Sequence, residues 1–350
     1  MTASAPAADT SGSVEQPASA DGGSVHYRDL DGLRGILSVT VMLYHFGLNT
    51  VLSRITGGLI ADAPWALCVD FFFVLSGFVL CHSFMRRPLT IRQYAIKRVW
   101  RLVPVHLVIL LPLLPILVME FDPTVPEILI NLTLAQAAFG MDSINPPSWS
   151  ASLELVVPAL FVIVWASFTA LKRPALIALL LIGIIGASIA SYELVETAGW
   201  NVVRALASLT IGFVLYRLVE GRISPRKGLW PTLLSLGCIA LLFLAIMAID
   251  IWPLIGLAYP LIVILTVLVV ANSDSLLSRG PLRFLGEWSY TIYMVHMPAL
   301  LLCLYLFGER MDGSLAYKAG AIMACIAASA LITRYVEKPL MRYGSALIRA

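Results

Sequence analysis

His45 stands inside an apolar run, eleven residues after Arg34, in the stretch "DGLRGILSVTVMLYHF" at 31–46. On a helix of 3.6 residues per turn that separation is almost three whole turns, so the guanidinium and the imidazole share a face. Asp31 and Ser38 fall on the same polar stripe. A rise of about 1.5 Å per residue puts His45 roughly 16 Å beyond Arg34, near the middle of a bilayer if the run 34–53 crosses as one helix. Arginine holds anions through its planar fork, and imidazole takes and returns a proton near neutral pH. A lone buried histidine is more often packing glue between helices. The arginine on the same face tips the reading toward a functional role.

Further polar residues lie where a bilayer should exclude them. "VDFFFVLSGFVLCH" carries Asp70 and, deeper, Ser76 and Gly77. A carboxylate among phenylalanines needs a partner, and His45 on the neighbouring helix is a candidate that would orient the imidazole. Ser76 is a weak nucleophile candidate, and Ser76-Gly77 equally suits a close helix approach. In "RRPLTIRQYAIKRVWRLVPVH", Arg98 and Arg101 sit one turn apart and flank Trp100. That set suits a phosphate-bearing ligand with a planar base, although basic loops also arise from topology alone. "PPSWSASLE" places Trp149 and Glu154 near the opposite mouth, and "GEWSYTIYMVHMP" sets Ser289, Tyr293 and His296 on one face. His82 and His106, near water-accessible ends, are expected to be structural. The five cysteines fall in apolar runs without paired spacing, so they read as packing residues rather than metal ligands or a disulfide framework.

The elements that must hold these groups are membrane helices. Of the 350 residues, 59% are hydrophobic and only 13% charged, far more apolar than a soluble core requires. Apolar runs near 34–53, 65–84, 103–119, 148–171, 174–191, 201–217, 230–249, 252–271, 285–307 and 318–336 approach the roughly 20 residues of a spanning helix. The weaker run 127–141 contains Asn131 and Gln136 and is short for a span. Leaving it out puts every Lys and Arg except Arg54, Arg204, Arg310 and Lys318 on the side of the termini, as the positive-inside rule requires. The expected fold is all-α: a polytopic membrane protein of about ten transmembrane helices, N-in and C-in. Residues 127–141 then form a re-entrant or surface segment covered by other helices. Residues 1–26 read as a disordered cytoplasmic tail, 27–342 as the membrane domain and 343–350 as a second short tail. The first 24 residues hold no Lys or Arg and no apolar core, so they are neither signal nor transit peptide. The net charge of +3 means little by itself, and no nucleic-acid partner is expected. A proton-coupled transporter or flippase of a lipid-linked glycan is the rival reading of the same buried groups, though no internal repeat is visible.

The ordered set "LDGLRGILSVTVMLYH", "FFFVLSGFVL", "KRVWRLVP", "WSASLE", "SYTIYMVH" and "VEKP" resembles the membrane-bound acyltransferase-3 family, whose members O-acylate sugars and other extracytoplasmic substrates. The resemblance covers roughly residues 28–340. It implies an acyl-CoA co-substrate, acetyl-CoA foremost, reaching the protein from the cytoplasm, with no permanently bound cofactor or metal. It also implies a sugar or glycolipid acceptor and a bacterial inner (plasma) membrane. By resemblance His45 is the catalytic histidine, and Arg34, Arg98 and Arg101 handle the donor, with Trp100 beside them for the base. Asp70 and Glu154 complete the catalytic set; Ser76, Tyr293 and His296 face the acceptor. Some members carry a fused hydrolase-like domain, and a chain of this length is expected to act without one or with a separate partner.

Overall fold

The computed structural model describes residues 27–55, 57, 67–192, 198–223, 233, 237, 258–271, 275–308, 310–311 and 314–349. Among them the chain is all-helical, with no strand. Six helices are long and apolar enough to cross a membrane: Leu67–Arg86, Ile91–Phe121, Arg173–Ala190, Trp200–Val219, Gly280–Phe307 and Leu315–Leu347. Ser148–Ile163 and Ala258–Val270 are apolar but shorter. The tail 1–26, nearly all of the run 230–249 and the start of the run 252–271 lie outside the described residues. The expected ten spans therefore reduce, on described helices, to six of spanning length.

The first helix, α1 (Arg28–His45), stops at the histidine instead of continuing through 53. Gly47 follows at φ 85°, a left-handed conformation that glycine adopts without strain, and its N–H closes on the Tyr44 carbonyl. The chain then restarts as the short α2 (Leu48–Ile55). His45 is thus a helix-end residue and sits exposed, where the uninterrupted reading had it at mid-span.

Helices α3 (Leu67–Arg86), α4 (Ile91–Phe121) and α5 (Val125–Leu132) follow, then a 3-10 turn at Gln136–Phe139 and α6 (Ser148–Ile163). Next come α7 (Trp165–Ala170), α8 (Arg173–Tyr192), α9 (Ala198–Val219) and α10 (Ala258–Val270). The chain closes with α11 (Gly280–Phe307), α12 (Leu315–Ile332), a π turn at Thr333–Glu337 and α13 (Lys338–Leu347). Two pairs of helices carry the core, α1 against α11 and α3 against α9. Small residues let their backbones touch, which is how helices associate where water supplies no driving force between them. A Cβ on Gly35 would lie 2.6 Å from the Gly286 nitrogen. One on Gly212 would overlap the Val74 carbonyl, and one on Gly77 the Leu209 carbonyl.

The 125–147 segment forms two short helical pieces; at eight residues α5 is roughly 12 Å long and cannot cross a bilayer. The amides of Asn131 and Gln136 turn inward and donate to protein, although Gln136 Oε1 is buried without a partner. Asn131 donates to the Glu127 and Asp142 carbonyls and accepts from the Ile144 N–H. Gln136 donates to the Ser143 and Ser148 hydroxyls. His106 of α4 donates through Nε2 to the Asn131 carbonyl at 2.7 Å, the structural role expected of it. These bonds sink the start of α6 into the molecule, with Ser148 and Ser152 fully buried.

The α3–α9 crossing gives a direct test. Gly212→Val is expected to destabilise the protein by about 1–3 kcal/mol or more through overpacking. The reading is a lower unfolding midpoint, or loss of a monodisperse peak, in detergent. Gly320→Ala, with no heavy atom within 4 Å of its added Cβ, should leave that midpoint unchanged.

Candidate functional site

Two cavities meet between α1, α3, α4, α6 and α11. The first is an open cleft of about 520 Å³ and is basic: Lys97, Arg98 and Arg101 from α4 and Arg34 from α1 line it, with Glu154 the carboxylate among them. The second, also open, spans about 410 Å³ and is mainly aromatic and hydroxylic, with Phe72, Phe73, Ser150, Ser289, Tyr290 and Tyr293 on its wall. Arg34, Ser76 and Glu154 line both, so they form the waist between the cavities.

At that waist the Arg98 guanidinium donates to Glu154 Oε1 at 2.8 Å, and the Ser76 hydroxyl donates to the same oxygen at 3.3 Å. Tyr94, one turn before Arg98, reaches the Leu155 carbonyl at 3.1 Å and pins α4 to α6. Arg34 and Arg101 form no ion pair or hydrogen bond among the described residues, and the Nε of each is buried without a partner. Three guanidiniums, Arg98 buried and Arg34 and Arg101 partly exposed, therefore cluster about Glu154, and the buried carboxylate of Glu337 also acts on Arg101 and Arg34. Such a surplus of fixed positive charge suits an anionic ligand with several oxygens.

The aromatic cavity ends at Tyr293, whose phenol oxygen accepts from Ser150 at 3.1 Å. The Tyr293 ring lies 5.6 Å from that of His296, and the His296 ring 4.9 Å from that of His45. His45 Nδ1 faces the Val41 carbonyl at 2.9 Å; His296 Nδ1 faces the Tyr293 carbonyl at 2.6 Å. A carbonyl only accepts, so both rings carry hydrogen on Nδ1 and keep the Nε2 lone pair for another proton. His45 is open, whereas His296 is 1% exposed with Nε2 buried and unpartnered.

Several expected placements are corrected. Asp70 does not meet His45. It is fully buried and bonded by both carboxylate oxygens to Arg204 of α9, at 2.8 and 3.3 Å. Arg204 in turn lies over the Trp149 ring at 5.7 Å. Glu154 is not near the mouth opposite the arginines but among them, because α6 begins deep in the molecule and its second turn descends toward Arg98. Trp100 does not flank an open ligand site. It points away from Arg98 and packs edge-on against Tyr343, 4.8 Å between centroids, while Gly344 of α13 crosses its Cβ. Arg34, Ser76, Arg98, Arg101 and Tyr293 do line the two joined cavities, while His296 and then His45 lie beyond Tyr293 and line neither.

Sequence reasoning left out Arg204, Tyr94, Ser150 and Asn145. Arg204 falls on the side opposite the termini and Asp70 is a carboxylate in need of a partner, so the need of each buried charge for a counter-ion was the available signal. Asn145 has a subtler one. Pro298 has no N–H to give the Met294 carbonyl four residues earlier, and Asn145 donates to that carbonyl instead, at 3.3 Å. The inward-folded segment thus braces α11 beside His296.

A multispan helical bundle with a buried basic cleft and two imidazoles defines an integral membrane protein with a site inside the bundle. The acyltransferase-3 family model, described as an acyltransferase domain, matches residues 27–334, and the chain belongs to that family. It is also 24% identical, over 90% of its length, to the peptidoglycan O-acetyltransferase OatA of Listeria monocytogenes. The chain spans 56% of that relative's length. No solved structure matches.

The Asp70–Arg204 pair generates a stability prediction. Asp70→Asn strands a buried guanidinium and should cost about 3–5 kcal/mol, seen as a lower unfolding midpoint. The double variant Asp70→Asn with Arg204→Gln should recover part of that loss; a double variant no more stable than the single one would mean the pair is not the source.

Proposed function

We propose that this chain is a membrane O-acyltransferase moving an acyl group, acetyl foremost, from acyl-CoA to a hydroxyl of a sugar-containing acceptor, a polysaccharide or glycolipid. The observation that carries this reading is the waist formed by Arg34, Ser76 and Glu154, which joins a basic cavity to one that ends beside two imidazoles. Membership of an acyltransferase family supplies the reaction class, and the peptidoglycan O-acetyltransferase relative supports acetyl as the group and a glycan as the acceptor. The bacterial inner membrane is the expected location, with the basic cavity open to the cytoplasm.

In this reading the phosphates of acyl-CoA rest on Arg101 and Lys97 and on the Arg98–Glu154 pair. The pantetheine arm passes Arg34 into the aromatic cavity. The run of α1 from Arg34 to His45, roughly 16 Å, is a distance a long thin thioester arm can cover. The acceptor hydroxyl oxygen attacks the thioester carbonyl carbon while His45 Nε2 takes its proton. The carbon–sulfur bond then breaks, and the CoA thiolate leaves with the proton returned from His45. Ester and free CoA are the products. Asp70 has a structural part here, as counter-ion to Arg204, and Trp100 holds α13 against α4.

The test is CoA release by the purified protein in nanodiscs given acetyl-CoA with peptidoglycan fragments or glycolipids, together with a mass gain of one acetyl group on the acceptor. His45→Ala is expected to lower kcat by about 10²–10⁴-fold. Arg101→Ala should raise the acetyl-CoA KM about tenfold, the loss of one charge-assisted contact. Acceptor-independent behaviour, or full transfer by His45→Ala, would contradict the reading.

A further inference from the structure

Nothing in the scheme above uses His296, although it is among the most buried polar groups in the protein. Its ring lies 4.9 Å from that of His45 and tilted 49° to it. Its Nδ1 hydrogen is committed to the Tyr293 carbonyl, which leaves Nε2 with a lone pair, buried and unpartnered. An unsatisfied buried acceptor costs free energy that a packing residue of the same shape would avoid. No neighbouring group among the described residues reaches it; the Tyr293 phenol meets Ser150, and Tyr44 lies against the His45 ring at 5.1 Å. On the far side of the α1 end, Lys318 approaches Gly47. The local backbone is braced as well, since Asn145 fills the carbonyl that Pro298 leaves open.

Two neutral imidazoles, each locked with hydrogen on Nδ1, present two acceptors and no donor between them. A single added proton changes that, because the protonated Nε2 of one ring becomes a donor to the other. We infer that His296 is the proton partner of His45, a positioning residue whose free Nε2 accepts a hydrogen bond from the His45 imidazolium formed during transfer. This rests on the acyl-transfer reading with His45 as base. The proton leaves the acceptor hydroxyl for His45 Nε2 as the new carbon–oxygen bond forms. His296 stabilises it there while the carbon–sulfur bond breaks, and the departing CoA thiolate carries it away. Both rings end neutral, and no other reactant is needed. The arrangement stabilises charge only when it develops, which is where a buried group contributes most to a rate.

Two amide substitutions separate this role from a structural one. The side chain in His296→Asn reproduces the Nδ1 bond to the Tyr293 carbonyl but has nothing at the Nε2 position. The side chain in His296→Gln carries an acceptor to the Nε2 position and gives up the Nδ1 bond. With acetyl-CoA binding and KM close to wild type in both, His296→Gln is expected to keep kcat within about tenfold and His296→Asn to lose about 100-fold. The reverse order, or equal activity of both with wild type, overturns the inference. Should either variant fail to bind acetyl-CoA, His296→Ala assayed with added imidazole or pyrrole asks the same question. Restoration by imidazole and not by pyrrole, which lacks a free ring lone pair, supports the proton role; equal effects of the two refute it. Full transfer by His45→Ala would instead overturn the acyl-transfer reading on which the inference rests, so the two failures are distinguishable.

Discussion

Guanidiniums drawn into a membrane bundle are costly to hold, and here three, Arg98 buried and Arg34 and Arg101 partly exposed, gather about Glu154, with the buried Glu337 also acting on the last two. Glu154 accepts from Arg98 and Ser76 while Arg34 and Arg101 stand by with buried, unpartnered nitrogens. That constraint decides where the helices sit. It needs α1, α3, α4 and α6 to converge, so α6 has to begin inside the molecule rather than at its edge. The inward-folded 125–147 segment makes this possible by satisfying the sunken helix start through Gln136 and the α4 connection through Asn131 and His106.

A second buried pair, Asp70 with Arg204, balances its own charge and is closed by Trp149. The contrast between the two is informative. Where the protein wants a girder, it matches one acid with one base at 2.8 Å; where it holds a site, it leaves positive charge in excess. The histidines differ in another way. Each has one ring nitrogen on a backbone carbonyl, His106 through Nε2 and His45 and His296 through Nδ1, but only the last two rings lie against each other.

Periodicity made much of this legible. The spacing of Arg34 and His45 places them along one helix, and Arg98 and Arg101 do fall on the cavity side of α4. Helical geometry also contained a warning that Trp100, 200° around the helix from Arg98, belongs on the opposite face. The stop at Gly47 was likewise written in the chain, as a glycine just past the histidine. What local pattern could not supply was pairing across long separations. Asp70 and Arg204 are far apart in the chain, and the depth of Glu154 depends on a segment that folds inward. Hydropathy runs locate helices but not their level in the bundle, which is set by tertiary bonds such as Asn145 to Met294.

The central claim is that the donor lies along one path, from the surplus arginines, past the Ser76–Glu154 waist, to the histidine pair. The most direct measurement is an experimental structure of the protein in nanodiscs with a non-hydrolysable thioether analogue of acetyl-CoA. The account predicts phosphate density against Arg101, the pantetheine arm beside Arg34, and the carbon standing for the thioester carbonyl beside the acceptor site served by His45, with reacting atoms about 3–3.5 Å apart. An analogue bound outside the basic cavity, or one whose arm turns away from the aromatic cavity, would contradict it.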